Sequence, residues 1–297
     1  MTEKYIIANG LKLAYDDFGS PENPAVVLIM GLGTQMIAWP EDFCEQLAAQ
    51  GYWVLRFDNR DIGLSQKIDH IKPPNLAKMV LLSRMGFPVR VPYSLKDMAD
   101  DTIGLMDALD IEKAHVVGVS MGGMIGQLVT AHAPHRVNSF TSIMSSSGNK
   151  KLPTAKREIT SLMLRRPPQE EDAFIEHRMQ VQRLIGSPGY PPSEQELKEK
   201  ILRSYKRSYY PEGALRQIAA IVHSSSRVKL LRRISRPTLV IHGKHDALVP
   251  VEAGIDTAHN IHGARLELFD GMGHDLPKEL IPDFVDLIAA HAGAHGV

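Results

Sequence analysis

Lys113-Ala114-His115-Val116-Val117-Gly118-Val119-Ser120-Met121-Gly122-Gly123-Met124-Ile125-Gly126-Gln127-Leu128-Val129 is the stretch on which the reading of this chain turns. Residues 113–117 are short and apolar, the pattern of a buried strand, and residues 124–129 continue as a buried helix. Ser120 therefore falls on a sharp strand-to-helix turn. Such a turn crowds the backbone, so Gly118 and Gly122 flank the serine, and Gly123 lets the helix close on the sheet. The first N–H groups of a helix have no intrahelical partner and favour negative charge. A serine there suits attack on an acyl group, with the oxyanion forming at the helix start. An ordinary strand-to-helix turn carries Gly and Ser too, so the assignment needs a base and an acid elsewhere.

Outward from this turn the pattern alternates. Residues 4–8 and 11–17 read as two strands joined at Asn9-Gly10, a two-residue hairpin signal. Ala25–Ile29 is a fully buried strand ending in Met30-Gly31-Leu32-Gly33-Thr34. A helix from about Pro40 to Gln50 and a strand at Tyr52–Phe57 follow. Residues 66–93, with Pro73-Pro74, Met79-Val80-Leu81-Leu82 and Pro88, read as a loop with a short apolar helix that helps roof the site. Ser94 and Asp97 form a capping box ahead of a helical stripe through Leu109. A strand spans Arg136 to Met144, and strand, helix and strand resume at Thr238–His242, Val251–Ile261 and Ala264–Phe269. A last helix carries Leu280 to Ile288, and the tail to Val297 reads as frayed. Strands alternating with helices imply a mostly parallel, eight-stranded sheet covered on both faces.

Between Asn149 and Arg233 the pattern changes to polar amphipathic helices broken at prolines, with no strand and no repeat. This divides the chain into a core domain, residues 1–148 and 234–297, and an inserted helical cap, residues 149–233. The insert holds 18 Lys/Arg against 9 Asp/Glu, and the remainder 16 against 25, so a net charge of zero conceals a +9 segment. A solvated helical surface is the plain reading; an anion-attracting mouth is the alternative.

Composition bounds the function. The 297 residues, 43% hydrophobic and 23% charged, describe an ordinary globular chain. No run approaches the roughly 18 apolar residues of a membrane span, and Met1-Thr2-Glu3-Lys4 does not open a signal peptide, so a cytoplasmic location is expected. The single cysteine, Cys44, falls in an amphipathic helix and reads as a buried thiol. No aromatic or Gly-rich motif accompanies the basic segment, which argues against nucleic acid as a partner. The sequence sets no oligomeric state.

A serine nucleophile needs a base and an orienting carboxylate. Asp270-Gly271-Met272-Gly273-His274-Asp275 follows the last strand, and its glycines can hold His274 at the sheet's carboxyl edge. Histidines 132, 135, 259, 262, 291 and 295 fall on or near helix ends, where a solvated or helix-terminus role is the default, and the pairs His242/His245 and His259/His262 lack a clustered third metal ligand. The loop 242–250 puts Asp246 after the preceding strand, at the same edge. No acid lies between Val137 and Arg157, so the strand before offers none. Asp270 and Asp275 are too close in sequence to reach the ring and read as loop-bonding or capping groups.

The order Ser120, Asp246, His274, each after a strand of one sheet, resembles the α/β-hydrolase fold, and the likeness spans nearly the whole chain. The resemblance implies oxyanion donors at the N–H groups of Met121 and Leu32, with Met30 where a histidine usually stands. Asp58-Asn59-Arg60-Asp61-Ile62-Gly63-Leu64-Ser65 is similar to the family's Asp-x-Arg-Gly-x-Gly-x-Ser segment, with Asp61 replacing Gly. With Trp39-Pro40, it resembles the bacterial branch that includes the aclacinomycin methylesterases. The expectation is a serine carboxylic-ester hydrolase acting on a small-molecule ester through an acyl-enzyme, without metal or organic cofactor. Carbon–carbon bond hydrolysis and cofactor-independent perhydrolysis fit the same triad. A non-catalytic ligand-binding protein on this fold is the reading from another class.

Overall fold

The computed structural model describes residues 3–85, 87 and 89–295. Met1, Thr2, Pro88, Gly296 and Val297, which enter the sequence reading, lie outside them. The strands are β1 (Lys4–Ala8), β2 (Leu11–Phe18), β3 (Ala25–Ile29), β4 (Trp53–Phe57), β5 (Ala114–Val119), β6 (Val137–Ile143), β7 (Thr238–Gly243) and β8 (Arg265–Phe269). They form one eight-stranded sheet in the order β1-β2-β4-β3-β5-β6-β7-β8. The β1–β2 and β2–β4 pairs are antiparallel, and every later pair is parallel. Asn9 and Gly10 take φ of 50° and 75° at the hairpin, the positive pair that matches a strand ribbon's twist.

The central strands show why this must be a covered sheet. All five residues of β3 are buried. Val27 and Ile29 enter one core cluster, together with Met121 and Ile125, whereas Val26 and Leu28 enter another, together with Phe43, Phe284 and Ile288. That period of two needs an apolar layer on each face. The layers are supplied by α3 (Leu95–Ala108) and α4 (Met121–His132) on one side, and by α1 (Glu41–Ala49) and α11 (Ile281–Gly293) on the other. Ser94 and Asp97 make the expected reciprocal capping box at the start of α3. The apolar run near residue 80 forms α2 (Leu76–Arg84), packed on the later helix Pro211–His223.

Between β6 and β7 the described residues form only helices: α5 (Arg157–Met163), α6 (Glu171–Ile185), α7 (Glu194–Arg207), α8 (Pro211–His223) and α9 (Val228–Leu231). α10 (Glu252–Asn260) links β7 to β8. No described helix is long and apolar enough to cross a membrane. His291 falls in the last turn of α11, the helix-end position expected of it, and is buried there. It follows Ile281, Phe284 and Ile288 on the inward stripe of that helix.

Candidate active site

The loop after β5 is built by close approach. A Cβ on Gly118 would stand 2.3 Å from the Gly122 carbonyl oxygen, and one on Gly122 would stand 2.0 Å from the Ile29 carbonyl oxygen. Only glycine fits either position, and between them Ser120 is forced to φ 54° and ψ −116°. This backbone is uncommon for a residue with a side chain, and it persists because its surroundings fix it. The Ser120 N–H donates to the Ile143 carbonyl at 2.9 Å, and the Ser120 carbonyl accepts from the Ser145 hydroxyl at 2.7 Å.

His274 and Asp246 converge on this turn from β8 and β7. His274 Nε2 lies 3.0 Å from Ser120 Oγ, and its Nδ1–H donates to Asp246 Oδ2 at 2.7 Å. The other carboxylate oxygen accepts from the N–H groups of Leu248 and Val249, at 2.9 and 2.7 Å. Burial pushes the Asp246 carboxyl upward, but the His274 imidazole and the hydrogen bonds it accepts outweigh that and hold it well below the usual carboxylate range. A further imidazole stands beside it: His242 Nε2 is 3.5 Å from Asp246 Oδ2 and donates to the Val249 carbonyl at 2.8 Å. His245 points elsewhere, its Nδ1 accepting from the Gly271 N–H.

Leu32 and Met121 flank the serine. Met121 heads α4, and the loop after β3 abuts Ser120 so closely that a Cβ on Gly31 would come within 3.2 Å of the serine Cβ. That loop is pinned at each residue. Asn59 Nδ2–H donates to the Met30 carbonyl at 3.0 Å, and Thr34 Oγ1–H to the Leu32 carbonyl at 3.0 Å. Gln217 Oε1 accepts from the Gly33 N–H at 2.9 Å, while its Nε2–H donates to the Arg60 carbonyl at 3.1 Å.

Gln217 lies on α8, outside the residues singled out from the sequence. One signal could have found it. Gly213, Arg216, Gln217 and Ala220 occupy the buried stripe of α8, and two polar residues on such a stripe must meet buried partners. Arg216 explains the departure at Asp61. Asp61 keeps the positive φ, 71°, that favours glycine, and its buried carboxylate takes a bidentate pair from Arg216 at 2.7 and 3.0 Å. The histidine loop is gripped from the same helical segment. His274 N–H donates to the Ile185 carbonyl at 2.6 Å, Gly273 N–H to Ser187 Oγ at 2.8 Å, and the Asp275 carboxylate accepts from Ser187 and Gln182. Asp275 thus has the loop-bonding role expected of it, and Asp270 lies exposed, 3.9 Å from His245.

Two cavities adjoin the loops that carry Leu32 and Asp275. One of about 110 Å³ is lined by Leu32, Gly33, Met163, His177 and Arg178 among others; a larger one of about 690 Å³ is lined by Gln35, Arg178, Lys200, Asp275 and Leu276 among others. Among the described residues no group of three His, Cys, Asp or Glu is placed to hold a metal ion.

Comparison with known proteins extends the geometry. The chain is 28% identical to a rhodomycin D methylesterase of a Streptomyces strain, over 99% of each protein. Among solved structures it resembles the enol-lactonase of Burkholderia xenovorans, with TM-score 0.76, 22% identity and coverage of 98% of this chain and 100% of that one. It also resembles a thermophilic esterase of Thermogutta terrifontis, with TM-score 0.74, 20% identity and full coverage of both. The sheet order, the forced serine turn and a match of residues 24–279 to the family's sequence model agree, and this chain belongs to the alpha/beta hydrolase fold family.

Proposed function

We propose that this protein is a serine carboxylic-ester hydrolase. The observation that carries the reading is the relay from Ser120 Oγ to His274 Nε2, at 3.0 Å, and from His274 Nδ1 to Asp246, at 2.7 Å. Ser120 Oγ attacks the acyl carbon as His274 takes its proton, and Asp246 keeps the imidazole in the tautomer whose Nε2 is free to accept. The N–H groups of Met121 and Leu32 hold the tetrahedral oxyanion. His274 then protonates the departing alkoxide. A water deprotonated by the same imidazole attacks the acyl-enzyme, and the acid leaves as Ser120 recovers its proton.

Residues 1–148 and 234–297 act in this reading as the catalytic core. Residues 149–233 act as a cap that shapes the pocket for a small-molecule ester. The similarity to a protein named for methyl-ester cleavage supports a small alkoxy leaving group. We place the enzyme in the cytoplasm.

The test is kinetic. Ser120→Ala and His274→Ala should each lower kcat by at least ~10³-fold on any ester turned over, because triad members act as a unit. A panel of alkyl and aryl esters, lactones, diketones and peracid-forming conditions separates ester cleavage from the other reactions a triad supports. Undiminished ester turnover by Ser120→Ala would overturn the proposal.

A further inference from the structure

The wall shared by the two cavities holds a cation without a counterpart. Arg178 projects from α6 and lines both cavities, and it makes no hydrogen bond or ion pair with any described residue. It differs in this from the buried arginines. Arg56, Arg60 and Arg216 each pair with an aspartate, and Arg227 is hydrogen-bonded by Gln127, Ser224 and the Ser146 carbonyl. Arg178 is partly buried, and that burial lowers its pKa. A cation facing a cavity without a protein counterpart is a ready partner for an anion.

The smaller cavity shows what would complete it. Its wall includes the basic side chains of Arg165, His177 and Arg178, and no carboxylate. His177 lies close enough to both arginines for their charges to disfavour its protonation, after burial, which is the larger cause. Leu32, whose N–H is the proposed oxyanion donor, lines the same cavity. Leu32 is the residue that connects this cavity to the proposed oxyanion site, and among the described residues the charged groups of its wall are all basic. The larger cavity is mixed: Lys200 there is offset by Asp275, and Glu196 and Glu199 share the wall. The anion-selective part of the site is accordingly the end near Leu32.

We propose that Arg178 is the anchor of an anion subsite, and that the preferred substrates are esters carrying a second, free carboxylate on the acyl chain, such as half-esters of dicarboxylic acids. A guanidinium offers paired N–H donors in one plane, the geometry a carboxylate accepts, whereas a neutral amide of the same shape leaves the charge uncompensated. The inference rests on the serine-esterase reading for its catalytic step, but the subsite itself is a binding site and can be tested without turnover.

The experiment compares monomethyl adipate with its neutral isostere, methyl adipamate. Wild type should favour the anionic ester in kcat/KM by about ten-fold or more, and Arg178→Gln should remove about that much of the ratio, with Arg178→Lys intermediate. A wild-type ratio near one, or a ratio unchanged by Arg178→Gln, would overturn the subsite. Calorimetric titration with adipate supplies the arm that needs no chemistry: wild type should bind it, and Arg178→Gln should bind it about ten-fold or more weakly. Should neither ester be hydrolysed while adipate binding depends on Arg178, the esterase reading fails and the subsite stands. If the esters are hydrolysed without discrimination and adipate does not bind, the subsite fails and the esterase reading stands.

Discussion

At the scale of single residues, Asp246 has the most specific environment in the proposed relay. One carboxylate oxygen is committed to two backbone N–H groups and the other to His274. It is already fixed before any imidazolium forms, so its part is to set the tautomer and balance the charge. Asp246→Asn should leave the fold intact and lower kcat by roughly 10⁴-fold, because the amide presents N–H where Nδ1–H must donate. Asp270→Asn, at an exposed carboxylate of the same loop cluster, should leave kcat nearly unchanged. Steady-state kinetics of the two variants settles which acid acts, and a crippled Asp270→Asn would move the acid from the loop after β7 to the loop after β8. This pair of aspartates was legible in the sequence, since chain order and the carboxyl edge of the sheet restricted the choice. The flanking His242 was not: its alignment with Asp246 depends on how the 242–250 loop folds back, which spacing alone does not encode.

At the scale of elements, α8 reaches from the helical insert into the core. Its buried stripe carries Arg216, paired with Asp61, and Gln217, which holds the Gly33 N–H next to Leu32. The change in periodicity sets 149–233 apart as a proposed cap, and the structure has helices α5 to α9 between β6 and β7. What could not be read was the grip of this segment on both loops beside Ser120, because each contact joins residues 86 or more positions apart. Gln217 bonds Gly33 across 184 positions. A cap that only selected substrates would alter kcat/KM unequally across a panel. A cap that also positions the oxyanion loop should affect every substrate. Gln217→Met, close in volume but unable to accept from Gly33, should lower kcat by about ten- to a hundred-fold with KM little changed, given how steeply rates fall with small misplacements. It should also slow reaction with a small fluorophosphonate. A change confined to KM of bulky esters would show that α8 contributes only to the pocket.

At the scale of the whole molecule, the sheet carries a pH-sensitive core group remote from the chemistry. His115 on β5 is buried; its Nδ1 bonds Ser139 Oγ at 2.8 Å, and its Nε2 meets no partner among the described residues. Burial first, and then the nearby His291 and His295, pushes its pKa down from 6.5 to about 4. The unfolded chain therefore binds a proton that the folded chain refuses. Stability from this residue is complete above about pH 6.5, declines as pH falls towards 4, and is level below that, a span on the order of 2–3 kcal/mol. Urea unfolding at pH 7 and pH 4.5 should show a smaller loss in His115→Asn than in wild type. Equal losses would place the acid sensitivity elsewhere.

The architecture was legible because the central strands read as short apolar runs, the first two were marked by the Asn9-Gly10 hairpin, and the flanking helices carried apolar stripes. His291 was legible as a helix-end residue, whereas its burial depends on its place on the inward stripe of α11. The central claim joins these scales: a sheet that forces Ser120 into an unfavourable backbone, and two loops that bring His274 and Asp246 to it. Peptide-resolved mass spectrometry after reaction with a fluorophosphonate tests that claim most directly. The account predicts one adduct, on Ser120, formed rapidly in wild type, strongly slowed in His274→Ala and absent in Ser120→Ala. An adduct on another residue with Ser120 unmodified would contradict it.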